Sequence, residues 1–257
     1  MHYYTVMAAL PFKDTALIDR EELARRWALA AEPCPDDARG PRWQLLLREL
    51  LWPLEPVRRA LGKPLEVAAA AHPRTVMLLP GFGAHPIRMR WMARHLERAG
   101  HTAKKWGLGY NLGATESRFR QVEERLVDLY RRTGEPIHLV GWSLGGVMAR
   151  EIAKQHPDKV AKVITMGSPF SGSPRANNGW RAYQAIAGHR VDEPEIDTVP
   201  PVETVAFWSP KDGVVHPRAA CGRAGERDRA VALRCSHMGF VLTHEAVEAV
   251  LDELDRD

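Results

Sequence analysis

Apolar positions follow two different rhythms along the chain. From residue 74 onward, short continuous apolar runs alternate with stretches of helical periodicity. Residues 75–79, 102–106, 160–166, 202–208 and 229–234, with the run that opens at Ile137, read as strands, most of them apolar enough to be buried on both faces. Residues 87–99, 115–134, 147–154, 180–187 and 243–254 read as helices between or after them. That alternation predicts an α/β fold: a mostly parallel central sheet flanked by helices and joined by right-handed crossovers.

Before residue 74 the rhythm is helical only. Residues 19–30 form a predicted helix capped by Asp19, with Leu23, Trp27 and Ala30 at helical spacing. Residues 43–52 form a second, stopped by Pro53, and residues 56–61 add a further turn. The chain therefore divides into an N-terminal helical extension, residues 1–73, and an α/β domain, residues 74–257. Two readings of the extension stand: its helices pack on the α/β domain or another subunit, or they form a cap or interfacial element near a substrate entrance. The clustering of Trp43, Trp52 and leucines beside arginines motivates the second reading and with it peripheral membrane or lipid contact. Residues 171–201 are longer than a connection between two core elements needs, which makes them a candidate lid.

Chemistry enters at Gly141-Trp142-Ser143-Leu144-Gly145-Gly146, where a predicted strand runs into a predicted helix. A serine on such a turn is held in a strained conformation with its hydroxyl clear of the strand end, and the flanking glycines let strand and helix approach. Asp212, in Ser209-Pro210-Lys211-Asp212-Gly213-Val214-Val215, and His237, in Ser236-His237-Met238-Gly239, each follow a later strand. With Pro80-Gly81-Phe82 and Gly167-Ser168-Pro169, these loops resemble those of the α/β-hydrolase superfamily, and more narrowly its bacterial lipase and esterase branch. The resemblance covers about residues 74–257.

That likeness implies a serine hydrolase that cleaves carboxylic esters without a cofactor or metal. Ser143 would be the nucleophile, His237 its base and Asp212 the acid that orients the base. The oxyanion would be met by the backbone N–H groups of Leu144 and Phe82. Asp212 also suits an Asp-Gly turn on its own account, and Asp192 and Asp197 are the alternative acids. Among the eleven histidines, His216 lies too near Asp212 in sequence to occupy a separate loop, His138 belongs to the nucleophile strand, and His244 opens the last helix. Trp142, Phe170, Trp180 and Met238 lie in or beside these loops as substrate-binding candidates, favouring a hydrophobic acyl or aromatic guest. The ring of Phe82 points either to the acyl site or against Trp142. Acyltransferase, thioesterase and amidase chemistry use the same acyl-enzyme, and a non-catalytic binding protein of this fold is the alternative outside enzymes.

Composition narrows the rest. In 257 residues, 45% are hydrophobic and 26% charged, an ordinary globular balance with enough chain for a full core. The net charge of +4 comes from arginines interspersed with acids, without the basic block that tracks phosphates, so nucleic acid is not an expected partner. Neither a signal peptide nor a membrane span is recognised, and a cytoplasmic location is expected. The three cysteines lack metal-ligand spacing. They read as free thiols, with a Cys221–Cys235 bridge as the alternative that a reducing cytosol opposes. The oligomeric state is left open.

Overall fold

The computed structural model describes residues 19–34, 38–62, 64–191 and 199–256. Six strands, β1 (Thr75–Leu79), β2 (Thr102–Lys105), β3 (Ile137–Trp142), β4 (Val160–Met166), β5 (Glu203–Trp208) and β6 (Arg229–Ala232), form one sheet in the order β2-β1-β3-β4-β5-β6. Every pairing is parallel. Nine α-helices are described: α1 (Arg20–Ala30), α2 (Trp43–Glu49), α3 (Glu55–Leu61), α4 (Arg90–Arg98), α5 (Glu116–Thr133), α6 (Leu144–Gln155), α7 (Trp180–Ala187), α8 (Pro217–Cys221) and α9 (His244–Asp255).

Both faces of the sheet are covered because its strands alternate two sets of apolar side chains. Val76, Leu78, Val140, Ile164 and Phe207 meet Met92, Leu96, Val247 and Val250 of α4 and α9 on one face. Met77, Leu79, Leu139 and Val163 meet Val122, Leu126, Met148 and Ile152 of α5 and α6 on the other. Helix α5 starts and stops where its residues dictate: Thr115 accepts the N–H of Arg118, and Gly134 closes the helix in the left-handed conformation.

The helices before the sheet do not form a separate layer. The side chains of Arg25 and Arg26 donate to the carbonyls of Gly188 and Ile186, at 2.8 Å each. In return, Arg181 and Gln184 of α7 donate to Ala30 and Leu29, at 2.5 Å each. Each helix thus donates to carbonyls at the end of the other, where the intrahelical ladder runs out. Glu32 adds ion pairs to Arg175 and Arg190.

Several boundaries differ from the sequence reading. The second predicted helix stops at Glu49, and residues Trp52–Leu54 form a 3-10 turn that leads into α3. Residues Met238–Val241, read as loop, make another 3-10 turn. Helix α8, absent from the sequence reading, is a five-residue element started by Pro217 and capped by His216, whose Nδ1 accepts from Arg218 N–H at 3.2 Å. Asp192 and Asp197, within the candidate lid, and residues 1–18 of the N-terminal extension lie outside the described residues.

Candidate active site

The strand order reverses its direction of growth between β1 and β3: the chain leaves β1 toward β2 on one side and leaves β3 toward β4 on the other. In an open parallel sheet the two following loops then separate, leaving a crevice at the carboxyl ends of those strands. Pro80-Gly81-Phe82 and Ser143 stand at those ends.

Ser143 has φ 54° and ψ −123°, and it is the one non-glycine with positive φ among the described residues. Such a conformation costs on the order of 1–3 kcal/mol and is retained only when the surroundings impose it. Close packing imposes it here. A Cβ on Gly145 would strike the carbonyls of Leu79 and Pro80, so α6 can start this close to β1 only with glycine there. Leu144 is the first residue of α6, and its N–H has no acceptor within the helix. A Cβ on Gly81 would lie 3.1 Å from the Cβ of Ser143, which places the loop carrying Phe82 beside the serine.

His237 follows β6, which lies on the opposite side of β3 from β1 in the strand order. Trp142, the residue before Ser143, donates its indole N–H to the His237 carbonyl at 3.1 Å, and the two rings lie 5.6 Å apart. Nδ1 of His237 donates to Oδ2 of Asp212 at 2.8 Å, while Oδ1 accepts the N–H groups of Val214 and Val215 at 2.8 Å each. Asp212 has no solvent exposure. Burial disfavours the imidazolium, but the charge and hydrogen bond of Asp212, aided by the charge of Glu49, outweigh it and hold the His237 pKa above its ordinary 6.5. The serines of both loops serve the same register. Ser209 Oγ donates to the Cys235 carbonyl at 2.6 Å and accepts Lys211 N–H at 3.0 Å, and Ser236 Oγ accepts Gly239 N–H at 3.2 Å.

Two residues the sequence reading passed over hold these loops. Asn111 is fully buried: its Nδ2 donates to the Pro80 carbonyl at 2.8 Å, its carbonyl accepts Gly83 N–H at 2.7 Å, and its N–H donates to Ala84 at 3.0 Å. It pins the Pro80-Gly81-Phe82 loop from both sides. A lone asparagine inside the glycine-rich 107–113 stretch was its only signal. Glu49, at the end of α2, accepts from the backbone of Gly213, His237 and Met238.

The predicted substrate-binding residues separate. Met238 and Phe82 are partly exposed, and the Phe82 ring packs on Tyr183 of α7, with centroids 5.0 Å apart. Trp142 is buried under His237. Trp180 is buried between the guanidinium groups of Arg175 and Arg181, and Phe170 packs under that of Arg150 at 4.2 Å. His138 is buried, and His244 stacks on Trp91. All three cysteines are free thiols. Among the described residues, no helix is long and apolar enough to cross a membrane.

A family model for the alpha/beta hydrolase fold matches residues 74–187. The protein has the α/β-hydrolase fold. The mature lipase BlEst2 of Bacillus licheniformis superposes with TM-score 0.56 at 17% identity, covering 76% of this chain and 97% of that one. The product of the lin2722 gene of Listeria innocua gives TM-score 0.53 at 18% identity over 72% and 95%. The pyrethroid hydrolase PytH gives 0.53 at 17% over 72% and 98%. At such identities the three show a shared fold alone. A pimeloyl-[acyl-carrier protein] methyl ester esterase of Aliivibrio salmonicida is 33% identical over 87 residues, which span 33% of this chain and 31% of that enzyme. The α/β-hydrolase match stops before the loops that carry Asp212 and His237.

Proposed function

We propose that the protein is a serine esterase that cleaves carboxylic esters through an acyl-serine intermediate. The observation that carries this reading is the strained Ser143 elbow, whose neighbour Trp142 bonds the carbonyl of His237, itself paired with the buried Asp212. The 33% identity to a methyl ester esterase over 87 residues supports ester hydrolysis as the reaction class.

A serine hydroxyl is too weak an acid to attack an acyl carbon unaided. His237 takes the Ser143 proton as Oγ bonds to the carbonyl carbon, and Asp212 balances the imidazolium that forms. The backbone N–H groups of Leu144 and Phe82 meet the oxyanion, an interaction whose loss costs about 3 kcal/mol of barrier per donor. His237 then protonates the leaving alcohol as the C–O bond breaks, leaving an acyl-Ser143 ester. Water, deprotonated by His237, attacks that ester and releases the acid with Ser143 restored. The partly exposed Phe82 and Met238, with Tyr183 behind Phe82, offer an apolar surface to the acyl group. Trp142 and Trp180 support their neighbours from within.

A panel of p-nitrophenyl esters of graded acyl length tests this reading. Hydrolysis by the wild type, with Ser143→Ala lowering kcat by roughly 10⁶-fold, is the expected result. Unchanged turnover in Ser143→Ala contradicts it.

A further inference from the structure

Helix α2 buries one side chain, and it is a carboxylate. Glu49 is 6% exposed. Its Oε1 accepts the N–H of His237 at 2.7 Å and of Gly213 at 2.9 Å, and its Oε2 accepts the N–H of Met238 at 3.0 Å. A buried carboxylate is costly unless donors satisfy it, and three charge-assisted backbone bonds do so here. These donors come from two loops that sequence separates by more than twenty residues. Gly213 follows Asp212; the other two are His237 itself and its successor. The seat is closely fitted, since a Cβ on Gly213 would collide with the Leu45 carbonyl in α2.

We infer that Glu49 is a positioning residue for the Asp212–His237 pair, clamping the acid loop to the histidine loop and fixing a second negative charge beside the imidazole. This rests on the esterase reading, in which His237 is the base. Asp212 holds the ring and Glu49 holds the backbone, so the imidazole is located at both ends. Helix α2 lies outside the segment matched to the family, so this clamp is supplied by the N-terminal part of the chain.

The electrostatic surroundings give the clamp a signature that packing alone lacks. The charges acting on His237 are Asp212 and Glu49, both of which favour its protonated form. Cys235, two residues away, is buried; burial first, then Glu245, Asp212 and Glu49, push its thiol pKa up, so it stays neutral. Removing the Glu49 charge therefore lowers the His237 pKa. The base must be neutral to act, so the acidic limb of the kcat/KM profile moves to lower pH.

The test compares wild type, Glu49→Gln and Glu49→Ala in p-nitrophenyl butyrate hydrolysis across the histidine titration range. In Glu49→Gln the amide oxygen can keep the bonds to His237 and Gly213, while its NH₂ faces the Met238 N–H; kcat falls about 10-fold. In Glu49→Ala it falls on the order of 100-fold, as for a displaced reacting group, with KM nearly unchanged. Both variants shift the acidic limb downward. Wild-type kcat and an unmoved limb in folded Glu49→Gln overturn the inference. Amide hydrogen exchange on the wild type reads the clamp without any substitution: slow exchange at Gly213, His237 and Met238 supports it, and exchange at the rate of open loops overturns it. If the wild type hydrolyses no better than Ser143→Ala while those amides are protected, the esterase reading fails and the clamp stands as a loop staple.

Discussion

The central sheet and helix α2 treat their side chains in opposite ways. Leu139 of β3 is fully buried between α5 and α6, as its apolar neighbourhood requires. Leu50, immediately after α2, is 70% exposed, Leu46 and Leu47 are exposed as well, and the side chain that α2 buries is Glu49. The sheet is held by area removed from water, in proportion to its apolar surface. Helix α2 is held where a carboxylate gathers backbone donors and where its backbone meets Gly213. Burial is thus not always a stability device: in α2 it serves to fix two loops, and the leucines are left outside.

Two leucines and one histidine probe the contrast. Leu139→Ala leaves a cavity in a packed layer and should cost about 2–5 kcal/mol in denaturant unfolding. A loss below 1 kcal/mol would mean that the sheet layers are less tightly coupled than their packing implies. His138, beside Leu139, is the sheet's counterpart to Glu49: it is buried, and its Nδ1 lacks a hydrogen-bond partner among the described residues. Burial first, then Arg74, Lys162 and His101, lower its pKa from 6.5 to about 4. The unfolded chain therefore takes up a proton that the folded one refuses. Stability is fully present above pH 6.5 and is lost as pH falls toward about 4, by roughly 3 kcal/mol. His138→Leu should flatten that slope in pH-dependent thermal melts; an unchanged slope would assign it to other groups. The smallest effect belongs to Leu50→Ala, which should stay within about 0.5 kcal/mol of wild type. A larger loss would show that the exposed leucines of this segment are covered in solution.

What the sequence made legible follows the same division. Strands β1 and β4 and helix α7 fall where the periodicity predicts, because apolar runs bounded by glycine or proline leave little choice. Ser143, Asp212 and His237 stood out as candidates because each sits in a short motif at a strand end; the structure links Trp142 to His237 and His237 to Asp212. Glu49 was illegible for a physical reason: in a leucine-rich helix the pattern puts glutamate outside, and only the position of loops some 160 to 190 residues away reverses that. Asn111 was hidden likewise, since its partners in the Pro80 loop lie about thirty residues upstream. Aromatic residues near the loops were visible as a group, but not which of them face the crevice. Trp180 is occupied by two arginines that the sequence did not link to it.

The claim on which the account depends is that Ser143 is an activated nucleophile. Labelling with a fluorophosphonate, followed by peptide mass spectrometry, tests it directly. A single adduct on Ser143, absent from Ser143→Ala and slower to form in Glu49→Gln, is the expected result. Protein that hydrolyses esters yet carries no adduct, or carries it on another serine, would contradict it.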